Sequence, residues 1–126
     1  MTLRSLASLS AVLLVGTGMP ACADDAHNAL ALDIFKELIE INTTESVGNV
    51  TEASEAMAKR LLAAGFPAAD VQVLGPNERK KNLVVRLRGT AKHPPVLLIG
   101  HLDVVEARPE DWSTDPFQLV EKDGFF

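Results

Sequence analysis

Apolar residues recur along this chain with two different periods, and the change falls near its middle. Ala31, Ile34, Phe35, Leu38 and Ile39 stand at helical spacing, with Asp33, Lys36, Glu37 and Glu40 on the other face. That pattern predicts an amphipathic helix over 25–41. Asn42-Thr43-Thr44-Glu45-Ser46 interrupts it with residues that favour turns and caps. A second helix is predicted over 50–64, where Ala53, Met57, Leu61 and Ala64 share a face. Asn49 is its N-cap, and Glu52 stands where a capping box wants an acid. Gly65-Phe66-Pro67 stops it: Gly65 can turn left-handed, Phe66 can fold back, and Pro67 cannot continue.

Beyond Pro67 the period shortens. Val71-Gln72-Val73-Leu74 predicts a short strand, ended by Gly75-Pro76-Asn77. A longer strand is predicted over 82–88, with Leu83, Val85 and Leu87 facing one way and Val84, Arg86 and Arg88 the other. Val96-Leu97-Leu98-Ile99-Gly100 is continuously apolar, which predicts a central strand buried on both faces. Residues 118–121 suggest one more strand before a turn at Lys122-Asp123-Gly124. Helices followed by strands, one of them doubly buried, argue a layered α/β domain.

The first residues follow another logic. Arg4 precedes the apolar run 6–15, and Ala21-Cys22-Ala23 follows it. A basic start, a short apolar stretch and an Ala-x-Ala end predict a secretory signal peptide over 1–23. The run is too short to span a bilayer as a helix. Cys22 leaves two fates open. Cleavage after Ala23 frees a periplasmic or secreted chain from Asp24. Lipidation at Cys22 anchors it to a membrane, although Met19 stands where a lipoprotein box has a Leu-like residue. Cys22 is the single cysteine, so no disulfide forms within the chain. The remaining 24–126 is expected to be one domain.

The 126 residues carry a formal net charge of −5, and removing the leader takes away Arg4. An acidic chain argues against nucleic acid as partner. The basic clusters Arg79-Lys80-Lys81 and Arg86 with Arg88 are expected to be solvated. Serine hydrolysis of the nucleophile-elbow type is not supported, since no Gly-x-Ser-x-Gly occurs.

The chemistry concentrates at Gly100-His101-Leu102-Asp103, just after the apolar run. In open α/β sheets, ligand sites gather outside the carboxyl ends of strands. Neutral imidazole is a good zinc ligand. Its second nitrogen commonly donates to a carboxylate that fixes the tautomer. Asp103 lies two residues on, where an extended backbone projects it to the same side as His101. The motif alone also fits a merely structural His–Asp pair. His27 and His93 are expected at the surface.

The stretch Val-Leu-Leu-Ile-Gly-His-Leu-Asp over 96–103, followed by Val104-Val105, resembles the first metal motif of a family of zinc exopeptidases and deacylases. That family includes glutamate carboxypeptidase, acetylornithine deacetylase, succinyl-diaminopimelate desuccinylase and aminoacylase. Pro109-Glu110-Asp111-Trp112-Ser113, Asp115-Pro116-Phe117 and Lys122-Asp123-Gly124-Phe125-Phe126 are similar to its downstream segments. Glu40-Ile41-Asn42-Thr43-Thr44 and Lys81-Asn82-Leu83-Val84 are similar to its upstream ones.

The resemblance implies a three-layer αβα catalytic domain, of which 24–126 is the N-terminal part. It implies a hydrolase of peptide or N-acyl amide bonds, of carboxypeptidase, dipeptidase or deacylase type, working with two zinc ions. His101 matches a zinc ligand, and Asp103 matches the catalytic aspartate that supports it. Trp112 is expected to anchor packing. The remaining acidic and histidine ligands, the general base and a region able to form a homodimer are expected beyond Phe126. The 126 residues alone are accordingly expected to be inactive. The rival expectation is a non-catalytic exported binding domain or lipoprotein of the same fold.

Overall fold

The computed structural model describes residues 25–126. The leader, its cleavage site and Cys22 lie outside the described residues. Within them, α1 runs Asp25–Glu40 and α2 Val50–Ala63, followed by a 3-10 turn at Ala68–Asp70. Strands β1 (Val71–Leu74) and β2 (Asn82–Val85) come next, and a second 3-10 turn lies at Pro109–Asp111.

Helix α2 is built as its end signals predict. The Asn49 side chain accepts from the Glu52 amide at 3.3 Å, taking up one of the free first-turn N–H groups. The Asn49 amide donates to the Asn42 carbonyl at 2.8 Å, which ties the helix start to the preceding loop. At the other end Gly65 has φ 92°. Gly65 N donates to Leu62 O at 3.0 Å and Phe66 N to Leu61 O at 3.1 Å. This pair of bonds closes the helix through a left-handed residue that glycine adopts without steric cost.

β1 and β2 pair antiparallel, with Val71 opposite Val85 and Val73 opposite Leu83. Those four side chains are half-buried, while Gln72 and Val84 on the other face are exposed. A lone two-stranded ribbon is only marginally stable in water. Here α2 covers its apolar face, with Ala53 fully buried and Ala58 nearly so. Small residues there let the helix axis approach the ribbon. The ribbon's base is held by Asp70, whose backbone carbonyl accepts from Arg86 N at 2.9 Å. The Asp70 carboxylate takes both Arg88 Nε at 2.7 Å and Arg88 Nη2 at 2.8 Å. This hydrogen-bonded guanidinium holds the Asp70 carboxyl below the usual carboxylate range, outweighing the opposite effect of burial. Helix α1 is attached more lightly. Arg60 of α2 reaches Asp33 at 2.8 Å and also bonds Glu37, yet no α1 residue is fully buried.

The architecture is therefore mixed α/β, as the periodicity predicts, but several expectations need correction. β2 ends at Val85 instead of Arg88, and Leu87 is exposed. Residues 118–121 form no strand; a single antiparallel bridge, Lys122 to Phe125, closes the two-residue turn instead. Asp123 and Gly124 have φ 55° and 80° there, the left-handed pair a tight hairpin turn requires. The largest departure is Val96-Leu97-Leu98-Ile99, expected to be a doubly buried strand. It pairs with nothing among the described residues, and its side chains are 81 to 89% exposed. A central strand needs neighbours on both edges and a layer on each face. The described residues supply neither. Trp112, expected as a packing anchor, is 54% exposed.

Candidate active site

Three segments distant in sequence meet where the His-x-Asp motif leaves the exposed run. The first is the loop 42–48 after α1. The Asn42 side-chain oxygen accepts from Thr44 N at 3.0 Å and from Thr44 Oγ1 at 2.8 Å. This is the local side-chain turn that makes asparagine a helix terminator. Gly48 N then bonds Thr44 O at 3.0 Å. A Cβ on Gly48 would stand 2.2 Å from Thr44 N, so only glycine closes the turn this tightly.

The second segment is the loop 75–81. Arg79 donates through Nε at 3.0 Å and Nη2 at 2.6 Å to Gly48 O, and through Nη2 at 3.3 Å to Ser46 O. Lys80 contacts both Glu45 oxygens at 2.8 Å. The same loop is stitched to α2, with Lys81 N on Thr51 Oγ1 at 3.0 Å and Ser54 Oγ on Lys81 O at 2.9 Å. Thr51 and Ser54 are buried, and these bonds satisfy them. Arg79 and Arg88 lie at the solvent-exposed surface as expected, and they are also bonded there. Both are spent on tying down backbone or a buried carboxylate.

The third segment is 102–106. Thr43 Oγ1 donates to Leu102 O at 2.7 Å. Val104 N donates to Thr43 O at 3.4 Å, and Thr44 and Val104 form an isolated parallel bridge. Ser46 gives its amide at 2.9 Å and its hydroxyl at 2.8 Å to the two Glu106 carboxylate oxygens.

His101 and Asp103 stand on this platform. His101 Nδ1 lies 3.0 Å from the Asp103 carbonyl oxygen and 3.3 Å from Asp103 Oδ1. The i, i+2 geometry expected from the extended backbone is therefore present. Donation from Nδ1 puts the ring's lone pair on Nε2, the form in which imidazole takes up a metal ion. Both side chains are open to solvent, at 85% for His101 and 70% for Asp103. Asp103 also lines a cleft of about 300 Å³ together with Thr43, Thr44, Arg79 and Lys80.

The donor chemistry fits one corner of a zinc site: a nitrogen ligand with a carboxylate behind it. Zinc takes about three or four protein ligands. Among the described residues no group of three or more His, Cys, Asp or Glu is placed to hold a metal. His27 and His93 are exposed and take no part. Sequence reasoning missed Thr43, Ser46, Arg79 and Glu106. Their one local signal is Asn42-Thr43-Thr44 directly after an amphipathic helix, which marks a turn but not what it holds.

A supported histidine in a mixed α/β chain is a candidate metal ligand. The comparisons with known proteins narrow the class. Over 74 residues, 56% of this chain and 19% of the relative, it is 42% identical to succinyl-diaminopimelate desuccinylase of Ralstonia nicotianae. Over 57 residues, 44% of this chain and 13% of the relative, it is 42% identical to a probable succinyl-diaminopimelate desuccinylase of Staphylococcus epidermidis. Over 104 residues, 79% of this chain and 24% of the relative, it is 31% identical to N-formyl-4-amino-5-aminomethyl-2-methylpyrimidine deformylase of Bacillus subtilis. No protein-family model matches the chain, and no solved structure matches it. Over these partial stretches the chain is similar to members of the zinc peptidase and deacylase family that its motif resembles. It spans about a fifth of the length of the curated relatives it matches, 19% for the Ralstonia enzyme.

Proposed function

We propose that this chain carries the first metal-ligand segment of an exported zinc-dependent hydrolase of N-acyl amide bonds. The observation that supports the reading best is the His101–Asp103 pair. It stands on a hydrogen-bonded platform, in a chain whose relatives are named for removing succinyl or formyl groups. In this reading His101 binds zinc through Nε2, and Asp103 holds the ring from Nδ1 and keeps Nε2 unprotonated. A bound zinc pair supplies Lewis acidity toward water and the scissile carbonyl. The remaining ligands and a glutamate base belong to parts of a three-layer αβα domain other than these residues. The relatives' names move the weight from peptides toward N-acyl amino acids as substrates. The leader 1–23 directs export, either with cleavage before Asp24 or with anchoring at Cys22. A homodimer through another region belongs to the same proposal.

The test uses the product of the whole coding frame, secreted and purified, with N-succinyl, N-formyl and N-acetyl amino acids and dipeptides. Zinc-dependent release of the free amine is expected, and chelation should abolish it. Asp103→Asn should lower kcat/KM by about 10–100-fold, and His101→Ala by more. The 126 residues alone should show no turnover. Intact mass of the same preparation reads the mature N-terminus. Zinc-independent turnover, or full activity in His101→Ala, would sink the proposal. A stable product with no turnover on any of these substrates would favour a binding domain of the same fold.

A further inference from the structure

We infer that Thr43 is a positioning residue for the His101–Asp103 pair. The inference rests on the reading of that pair as a ligand and its support. The two side chains are 85% and 70% exposed, so packing does not orient them. Their placement must come from the backbone that carries them. Upstream, the run 96–99 has no pairing partner among the described residues and imposes nothing. Downstream, three ties hold the segment, and the first two come from one residue. Thr43 Oγ1 donates to the carbonyl of Leu102, the residue between His101 and Asp103, at 2.7 Å. The Thr43 carbonyl accepts from Val104 N at 3.4 Å, on the far side of Asp103. Ser46 on Glu106 is the third tie and lies further along the chain.

Thr43 is itself well placed for this role. It is only 3% exposed, so water competes poorly for its hydroxyl. Its backbone is set by the Asn42 turn on one side and by close contact with Gly48 on the other. Rotation of the peptide between Leu102 and Asp103 would turn Asp103 away from the His101 ring. Fixing its oxygen therefore fixes Asp103 against the His101 ring. A hydroxyl donor at this position does what a methyl of the same shape cannot.

The experiment is metal-free NMR of the full chain labelled uniformly with 15N, read at one pH. His27 and His93, both exposed, are internal references. In the unmodified chain the two His101 ring nitrogens should be well separated in shift, with the proton on Nδ1. Thr43→Val keeps the side-chain shape and removes the donor. It should collapse that separation toward the values of His27 and His93 while amide signals of α2 and β1 stay in place. Thr43→Ser keeps the donor and should restore the separation. Thr44→Val is the control. The Thr44 hydroxyl bonds Asn42 and not Leu102, so His101 should not move. If Thr43→Val does not fold, Thr43→Cys replaces it, with similar size and a weaker donor. An intermediate separation is then expected. His101 signals unchanged in a folded Thr43→Val, or identical in the Cys and Ser variants, would overturn the assignment. Neither metal nor substrate enters this readout, so failure of the hydrolase proposal and failure of the Thr43 assignment are seen separately.

Discussion

Val71–Leu74 and the run 96–99 are both four residues long and both rich in branched apolar side chains, three of four in the first and all four in the second, yet they stand in opposite environments. The first is paired along its length with Asn82–Val85, and α2 covers its apolar face. The second has no strand beside it among the described residues and is 81 to 89% exposed. The second is the more hydrophobic of the two. Apolar area stabilises by about 25 cal/mol per Å² only when a second surface removes it from water. Burial is thus a property of two surfaces, and Val71–Leu74 has its complement close by in sequence. Among the described residues the 96–99 backbone also has no ladder partner, the condition that makes an exposed strand a template for another chain.

The sharpest way to break this contrast is to overfill one side of it. Ala53→Leu adds volume at a fully buried position where α2 meets the ribbon. It should lower stability by about 1–3 kcal/mol in urea denaturation. A loss well below that would mean the helix is not tightly seated on β1 and β2.

A smaller effect should come from the ribbon's base. Asp70→Asn keeps the shape and removes the charge that Arg88 clasps, so the urea midpoint should fall. Lowering the pH does the same chemistry. The Asp70 carboxyl is held below its ordinary value by Arg88, so the folded state binds a proton less readily than the unfolded chain. The stabilisation is therefore complete above the unfolded value of about 4. It disappears as pH falls further, through the lowered folded value. Unfolding followed by circular dichroism from pH 6 to 2 should show this loss, and Asp70→Asn should remove most of it.

The smallest effect is expected where hydrophobicity is greatest. Leu98→Asp should change stability by less than about 0.5 kcal/mol, because nothing in the described chain packs on Leu98. Its visible consequence should be reduced self-association in sedimentation at rising concentration. A stability loss comparable to that of Ala53→Leu would show that residues 96–99 are buried in solution, and the contrast would fail.

Much of the fold is legible from short-range signals. Asn49 caps α2 because its oxygen reaches an amide within one turn. Gly65 ends the helix because its own φ is positive. Asp123-Gly124 turns for the same local reason. β1 and β2 alternate as read, up to Val85. The pair His101–Asp103 was also legible, since residues two apart on an extended chain project to the same side. The platform beneath it was not. Thr43 reaches Leu102 across 59 positions, Ser46 reaches Glu106 across 60, and Arg79 reaches Gly48 across 31. Nothing in the spacing of threonine, serine or arginine announces such a partner.

By itself, then, the sequence determined what depends on neighbours in the chain: two helices and their ends, one short ribbon, the tight turns, and the histidine with its aspartate. It also carried the motif that resembles the family's. Only the tertiary structure decided which apolar surface is covered and which basic side chains are spent on backbone. It alone placed the loop 42–48 beneath the site. The reason is physical. Helix caps and turns close rings of a few residues, at small entropic cost and with few competitors. Burial and long-range hydrogen bonds need two surfaces to meet, and that meeting depends on the shape of everything between them.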